Sequence, residues 1–273
     1  MDKRTNEQLQ MQGAMALVTG ASSGIGLAYA RELARRGYDL LLVSNEQERI
    51  GTVAEELSVA FGVKTIPLCM DLARSEAARE LYDYCEGEGL QIGILVNNAG
   101  IFFFDDLTEV APERIEMMLL LHIRTVTLLC RYFGAAMKRR RAGYILNMSS
   151  LSAWTPAPGI SVYAASKSYI RKFSQMLRYE LHQYGVGVTT VCPGAIATGL
   201  YNLSDYYQRL ALRLGVMMKP ERLARKGLRA MFARRDYILP GAVNRFFVLA
   251  LYLLPVQLIY YIKEHTKLYR YGR

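Results

Sequence analysis

Residues that commonly hold metal ions are scarce in this chain. Its 273 residues include only four cysteines and three histidines. The cysteines, Cys69, Cys85, Cys130 and Cys192, are far apart and lack the short spacings of zinc sites. No metal site is therefore expected, and the four thiols are interpreted as buried and reduced, as is usual in a cytoplasmic protein.

The chain also lacks an apolar run near its start and any internal repeat. The first twelve residues are polar, so a flexible arm is expected over 1–12 rather than a secretory signal peptide. No low-complexity linker divides the rest. We therefore predict one domain over 13–243 and an extension over 244–273.

Acidic residues are outnumbered: 34 Lys and Arg face 24 Asp and Glu, which gives a net charge of +10. Such an excess is one indication of nucleic-acid binding. The distribution of the basic residues does not favour nucleic-acid binding, because Lys138–Arg141 form only one short run, which is interpreted as a solvated turn. The segment Arg209–Arg235 mixes nine Lys and Arg with apolar residues and leads to the most hydrophobic part of the chain. This pattern favours a membrane surface over nucleic acid.

Short apolar runs alternate with helical segments, the pattern of a parallel sheet covered on both faces. Strands are predicted at Ala14–Thr19, Asp39–Ser44, Val63–Cys69, Ile92–Asn97, Gly143–Met148, Gly187–Cys192 and Tyr237–Leu239. Helices are predicted at 24–36, 46–61, 74–87, 111–138, 162–184 and 220–234. The fold class is therefore α/β, a Rossmann-type doubly wound parallel sheet of seven strands with helices on both faces, plus a hydrophobic C-terminal helical extension.

A glycine-rich turn follows the first predicted strand and runs into a helix. It reads Thr19-Gly20-Ala21-Ser22-Ser23-Gly24-Ile25-Gly26. Glycine lets the backbone approach a pyrophosphate closely, and the helix N-terminus offers free N–H groups to it. A plain glycine-rich turn is the alternative, but the position after the first strand favours a dinucleotide site.

The Gly-x3-Gly-x-Gly spacing resembles that of the short-chain dehydrogenase/reductase family. Three more segments are similar to that family: Asp71 after the third strand, 97–100 (Asn-Asn-Ala-Gly) after the fourth, and Pro193-Gly194 leading to Thr198 after the sixth. The resemblance implies a nicotinamide cofactor. It would be held by Gly20, Ser22, Ser23, Gly24, Ile25, Gly26, Ser44, Asn45, Asp71, Leu72, Asn98, Ala99, Gly100, Tyr163, Lys167, Pro193, Gly194, Ile196 and Thr198.

The end of the second strand bears on the choice between NAD(H) and NADP(H). An acid there would bind the ribose hydroxyls of NAD and repel a 2′-phosphate. The strand ends on Ser44-Asn45, and the first acid is Glu46. Family members that prefer NADP usually have an arginine where Asn45 stands, and Arg49 lies a turn away. Because nothing at the strand end excludes the phosphate, the sequence favours NADP(H).

Tyr163 and Lys167 are four residues apart, which places them on one face of a predicted helix. Ser150 ends the fifth strand thirteen residues before Tyr163, the spacing of the family's catalytic trio, and Ser149 is the rival hydroxyl. A free tyrosine has a pKa of about 10, and a nearby ammonium favours its phenolate form. The trio is therefore predicted to move a proton to or from a substrate oxygen, with Ser150 donating a hydrogen bond to it.

His122 departs from the family pattern. It stands where many members have an asparagine that links the lysine to a proton-relay water. The family's contact is largely a backbone carbonyl, which a histidine also provides. A structural role or a supporting role beside the lysine is favoured over direct catalysis, and His122 is kept as a secondary site.

The segment after the sixth strand is aromatic and aliphatic, and a lid is expected at about 199–220 by resemblance. A hydrophobic ketone is the favoured substrate, with packing in the core or between copies in a homo-oligomer as the alternative. The apolar run 246–262 is seventeen residues long and marginal for spanning a bilayer, which takes about 20 residues. It is interpreted as lying on the cytoplasmic face of a membrane; a short anchor or an oligomer contact are the alternatives.

The closest resemblance is to the family branch whose members reduce long-chain keto lipids such as 3-ketosphinganine and 3-oxoacyl compounds. It implies a reductase of that substrate class. A steroid or small-alcohol dehydrogenase is the neighbouring interpretation. A dinucleotide-binding scaffold or sensor without catalysis is the alternative of another class.

Overall fold

The computed structural model describes residues 13–155, 158–197 and 217–241, together with positions 243, 244, 246, 248, 257 and 265. The predicted arm over 1–12 lies outside these residues, as do 199–216 of the predicted lid and most of the extension over 244–273. Among the described helices, none combines the length and the apolar composition that crossing a bilayer requires.

Seven parallel strands form the central sheet. The described strands in chain order, of which β7 and β8 lie outside this sheet, are β1 (Met15–Thr19), β2 (Leu40–Ser44), β3 (Thr65–Cys69), β4 (Ile92–Asn97), β5 (Gly143–Met148), β6 (Val186–Val191), β7 (Ala195–Ile196), β8 (Met217–Met218) and β9 (Tyr237–Ile238). The sheet has the order β3-β2-β1-β4-β5-β6-β9. This confirms the predicted doubly wound fold, with strand ends that agree with the prediction to within two residues. The short parallel pair β7–β8 was not predicted.

Seven α-helices cover the sheet in the described part of the chain. They are α1 (Gly24–Ala34), α2 (Gln47–Phe61), α3 (Ala77–Gly87), α4 (Pro112–Leu119), α5 (Val126–Arg140), α6 (Ser161–His182) and α7 (Pro220–Phe232), with short 3-10 helices at Leu107–Glu109 and Leu151–Ala153. One core cluster joins α1, α2 and α7, and another joins α3 and α5 with the end of α6. Residues of β1 alternate between the two clusters, which explains why an interior strand is apolar throughout.

The edge strand β3 corrects one prediction. Its residues are only partly buried, and its Pro67 is tolerated because an edge strand has one unpaired side. Cys69 ends this strand and is exposed, whereas Cys85, Cys130 and Cys192 are buried. The interpretation of all four thiols as buried is therefore wrong for Cys69.

The predicted helix over 111–138 is not continuous. A π-helical segment, Leu120–Thr125, lies between α4 and α5. The Thr125 hydroxyl donates to the Leu72 carbonyl at 2.8 Å, and the Ile101 N–H donates to His122 Nε2 at 3.0 Å. These bonds tie the segment to the loops after β3 and β4. Wider π-helical turns of this kind often occur at functional sites.

The strand order indicates where a ligand of this sheet would bind. Strand β1 lies between β2 and β4, so the chain's crossovers run outward in opposite directions from this point. Ligands of doubly wound sheets bind outside the carboxyl ends of the strands where the order reverses. The glycine turn after β1 and the loop after β4 meet at this place.

Candidate active site

The turn between β1 and α1 has the geometry that its glycines allow. Gly20 and Gly24 have φ angles of +64° and +54°, in the region that favours glycine. A Cβ added at Gly26 would collide with the Gly20 carbonyl oxygen and would lie 2.6 Å from the Asn98 side-chain nitrogen. Ser23 precedes α1 without a side-chain capping bond, so the first N–H groups of the helix stay available to an anion.

Thr19 connects this turn to the loop after β4. Its hydroxyl oxygen accepts the N–H groups of Asn98 and Ala99, each at 3.0 Å. The Asn98 side chain in turn donates to the carbonyl oxygens of Thr19 and Gly20 at 3.0 and 3.3 Å. Sequence reasoning did not assign this role to Thr19, although its position as the last residue of β1 is a usable signal.

An elongated cleft of about 710 Å³ follows the carboxyl ends of β1, β2 and β4. This is within the range of about 300–1,000 Å³ typical of ligand pockets. Of the predicted cofactor residues, the cleft is lined by Gly20, Ser22, Ser23, Gly24, Ile25, Ser44, Asn45, Asp71, Leu72, Asn98, Ala99 and Gly100. Glu46 and Arg49 also line it. The residues therefore fit a dinucleotide; the predicted Thr198 lies outside the described residues.

The three predicted catalytic residues lie together in an adjoining cavity. Ser150, Tyr163 and Lys167 line it, with Pro193, Gly194 and Ile196 from the segment after β6. Four residues line both this cavity and the cleft, namely Ile25, Asn98, Gly100 and Ile101. The trio is therefore at the end of the cleft, where the reactive end of a bound dinucleotide would lie.

Lys167 is buried behind Tyr163. Its side chain is 5% exposed, and its ammonium nitrogen donates to the Met148 carbonyl at 3.2 Å. The same nitrogen lies 5.5 Å from the centre of the Tyr163 ring. Burial lowers the pKa of Lys167 to about 8. The amine is thus mostly protonated at neutral pH, and its charge acts on Tyr163 in a poorly solvated site where it is weakly screened.

The two neighbouring serines are in different situations. The Ser149 hydroxyl is buried and donates to the Lys167 carbonyl at 2.7 Å. Ser150 Oγ accepts the Ser152 N–H at 3.1 Å, which leaves its own proton to donate. This geometry favours Ser150 as the hydroxyl that reaches a substrate oxygen.

Comparison with known proteins identifies the family. Residues 14–205 match the family described as short chain dehydrogenase. The chain belongs to this family. A short-chain dehydrogenase from Sphingobium yanoikuyae, solved in complex with NADPH, has a TM-score of 0.77 and 28% sequence identity to this chain. The similarity covers 95% of this chain and 98% of that one.

Among the curated relatives of this short-chain dehydrogenase are one named as a reductase and one named as inactive. A very-long-chain 3-oxoacyl-CoA reductase of Anas platyrhynchos is 37% identical over 199 residues, which are 70% of this chain and 62% of that protein. An inactive hydroxysteroid dehydrogenase-like protein 1 of Homo sapiens is 32% identical over 206 residues, which are 74% of this chain and 61% of that protein. The matched region is thus about three-fifths of each relative's length.

In this short-chain dehydrogenase, His122 is fully buried and bonded at both ring nitrogens. Nε2 accepts the Ile101 N–H, so the ring proton is on Nδ1, which donates to Ser166 Oγ at 2.9 Å. The Ser166 hydroxyl in turn donates a hydrogen bond to the Tyr163 carbonyl oxygen at 2.8 Å. Burial, and then the charge of Lys167, lower the pKa of His122 well below its ordinary value. The imidazole is therefore neutral and connects the loop after β4 to helix α6.

An aromatic loop forms a wall beside Tyr163. The Phe102 ring lies 5.0 Å from the Tyr163 ring at 90°, an edge-to-face contact. Phe103, Met118 and Tyr163 belong to one apolar cluster. Gly159, at a φ of +80°, makes room for Phe104, and its carbonyl accepts the Asp105 N–H at 2.8 Å. Sequence reasoning missed this wall, although three successive phenylalanines directly after the 97–101 segment were a visible signal.

Proposed function

We propose that this chain is an NAD(P)(H)-dependent oxidoreductase that reduces the ketone of a hydrophobic substrate, a long-chain keto lipid, to a secondary alcohol. The observation that carries the proposal is the meeting of Ser150, Tyr163 and Lys167 at the end of the dinucleotide cleft. When bound, the nicotinamide supplies the hydride that the carbonyl carbon receives. The chain's own residues bind the carbonyl oxygen of the substrate and supply its proton.

Each residue of the trio has one task. The Tyr163 hydroxyl gives its proton to the carbonyl oxygen as negative charge develops there. The Lys167 ammonium, mostly protonated at neutral pH, stabilises the phenolate that remains. The Ser150 hydroxyl donates a hydrogen bond to the same substrate oxygen and holds it at Tyr163.

The walls of the catalytic cavity support an apolar substrate. Phe102 covers one side of Tyr163, and Ile101 and Ile196 add apolar surface to the lining of the cavity. Such surfaces bind alkyl chains and offer little to a sugar or a small acid. The relative named a very-long-chain 3-oxoacyl-CoA reductase supports a keto-lipid substrate. A steroid ketone is the second candidate, since proteins named 17-beta-hydroxysteroid dehydrogenase type 3 are also among the relatives.

A scaffold without catalysis is the alternative of another class, since one relative is named inactive. The presence of Ser150, Tyr163 and Lys167 in one cavity supports catalysis. Turnover of NADPH and NADH with a panel of acyl, sphingoid and steroid ketones tests the proposal. If neither NADPH nor NADH is oxidised in the presence of any of these ketones, the proposal is wrong. If some ketones react, their relative rates would rank keto lipids against steroid ketones.

NADP(H) is the proposed cofactor, because the pair Ser44-Asn45 at the end of β2 has no acid and Arg49 lines the cleft nearby, together with Glu46. The Ser44 hydroxyl is occupied by a 2.9 Å hydrogen bond to Ser22. Arg49 lines the cleft, and its only acidic partner among the described residues is Glu46, at 3.8 Å with both side chains about half exposed. An exposed pair of this kind is weak. Arg49 can therefore turn to a 2′-phosphate.

Asn45→Asp is expected to shift the preference towards NADH by about tenfold or more in the ratio of kcat/KM values, which is about 1.4 kcal/mol. The reason is that a carboxylate there would repel the 2′-phosphate of NADP(H) and accept hydrogen bonds from the ribose hydroxyls of NAD(H). The ratio is measured with both cofactors on one ketone. Thr52→Asp adds the same charge on α2 outside the cleft lining and should leave the ratio unchanged. A wild-type enzyme that already uses NADH far better than NADPH would contradict the cofactor assignment.

We further propose that His122 is a positioning residue, which holds α6 against the loop after β4 while staying neutral. Because its pKa in the folded protein lies below the unfolded value of about 6.5, only the unfolded chain gains a proton as the pH falls below that value. The free energy of unfolding should therefore lose up to about 1.4 kcal/mol per pH unit below about pH 6.5 from this group alone.

His122→Asn should remove this component, so the stability difference between wild type and variant should shrink from pH 7 to pH 5. Denaturant unfolding at several pH values measures it. His182→Asn, at an exposed histidine on the last turn of α6, is the matched control and should not change the slope in this way. A wild-type advantage that stays constant over this pH range would contradict the neutral, buried assignment.

A further inference from the structure

The outer surface of α7 is strongly basic. Its inner side packs into the core through residues that include Leu223, Leu228 and Met231. Arg222, Arg225 and Arg229 are exposed on the other side at spacings of three and four residues, so they form one row. Glu221 is the single acid in this helix.

Helix α1 extends the basic surface. It packs directly on α7, since Gly227 lies against the Tyr29 side chain without room for a Cβ, and the Arg36 guanidinium lies 5.1 Å from the Phe232 ring centre. Both helices belong to the same core cluster, so their exposed residues point away from the same face of the sheet. We define the basic face as the exposed arginines of α7, of α1 and of the two residues that follow α1: Arg31, Arg35, Arg36, Arg222, Arg225 and Arg229.

Only two of the arginines of this basic face form salt bridges among the described residues. Arg35 and Arg36 share Glu32, whose carboxylate is held by both. In the described part of the chain, Arg31 and the three arginines of α7 form no salt bridge. A large excess of one charge on a face built from two packed helices is suited to an extended surface of opposite charge.

We infer that the basic face binds the headgroups of an anionic lipid bilayer. Two copies of the chain would not pair through it, because arginines would then oppose arginines. The chain continues from α7 and β9 to exposed apolar side chains, with Val243 47% and Phe246 74% exposed. Basic residues followed by exposed apolar ones are typical of a lipid-surface contact, whereas a nucleic-acid contact would not use the apolar part.

The inference goes beyond the proposed reaction and does not depend on it. A protein held at a bilayer by this face would meet a long-chain ketone where such molecules are concentrated. The basic face contains none of the residues of the cleft or the catalytic cavity. Lipid binding and turnover of a soluble ketone can therefore be measured separately.

The test compares two triple variants of the full chain in co-sedimentation with phosphatidylcholine vesicles, with and without phosphatidylserine. The first is Arg222→Gln, Arg225→Gln and Arg229→Gln. The control is Arg131→Gln, Arg139→Gln and Lys172→Gln, which removes three exposed charges from α5 and α6. The first variant should lose phosphatidylserine-dependent affinity by on the order of 100-fold, since each basic residue near an anionic leaflet contributes about one kcal/mol. The control should stay close to wild type.

Thermal unfolding midpoints close to that of wild type would show that both variants are folded, whether or not the proposed reaction occurs. Equal losses in the two variants would overturn the inference, since net charge alone would then explain binding. Wild-type binding that does not depend on phosphatidylserine would overturn it as well. Tighter binding of the wild type to duplex DNA than to the anionic vesicles, lost in the α7 variant, would assign the basic face to nucleic acid instead.

Discussion

Tyr163→Phe is expected to lower kcat/KM by about 10²–10⁴-fold, the usual contribution of a positioned general acid or base. The change removes only the hydroxyl, so the ring keeps its edge-to-face contact with Phe102. Cofactor affinity, measured by fluorescence titration, should stay within about twofold of wild type, because the ribose and phosphate part of the cleft is untouched. The loss should therefore appear in turnover and not in binding.

Tyr169→Phe is the matched control for this prediction. Tyr169 is on the same helix, is 37% exposed, and stacks on Phe173 at 5.7 Å between ring centres. Removal of the Tyr169 hydroxyl should leave turnover unchanged. If Tyr163→Phe kept activity within about tenfold of wild type, which is about 1.4 kcal/mol in the barrier, Tyr163 would not be the proton donor.

Gly26→Ala is expected to weaken dinucleotide binding by at least about 100-fold, because the added Cβ would meet the Gly20 carbonyl and force the turn apart. The nearest neighbour is the Gly20 backbone, which cannot move aside as a flexible side chain can, and the Asn98 amide is held by hydrogen bonds to the carbonyl oxygens of Thr19 and Gly20. The dissociation constant for NADPH is the quantity to measure, by calorimetry or fluorescence. A shift of the whole turn should also lower stability, which a thermal melt without cofactor would report.

Gly51→Ala provides the control, since Gly51 lies within α2 and a Cβ there would meet nothing within 4 Å. The same substitution at that position should stabilise the helix by about 1 kcal/mol and leave NADPH affinity unchanged. Full NADPH affinity in Gly26→Ala would mean that the dinucleotide does not rely on this turn. The assignment of the cleft would then be wrong.

The sheet could be predicted because each interior strand is a short apolar run between helical segments. In β1 both faces are covered, so Met15 to Val18 are all apolar and stand out from the polar turns around them. The meeting of Ser150, Tyr163 and Lys167 in one cavity could be predicted because Ser150 follows β5 closely and the other two are four residues apart on one helix. Such local spacing is visible without knowledge of tertiary contacts.

Other features depend on contacts between segments that are distant in the sequence. The π-helical turn at Leu120–Thr125 is held by loops after two strands, and apolar periodicity cannot show it. The tautomer of His122 is set by Ile101 and Ser166, 21 and 44 residues away. The exposure of Cys69 follows from the edge position of β3, which is a property of the strand order.

The most direct test of the central claim uses NADPH with deuterium in place of both hydrogens on the nicotinamide C4 carbon, with purified full-length chain and a long-chain 3-keto lipid. Mass spectrometry of the product alcohol measures whether the label reaches the carbinol carbon. If the account is correct, wild type transfers one deuterium for each NADPH oxidised, and Tyr163→Phe binds NADPH but transfers almost none. Tight binding of NADPH by wild type with no label in any acyl, sphingoid or steroid alcohol would contradict the account and favour a non-catalytic scaffold.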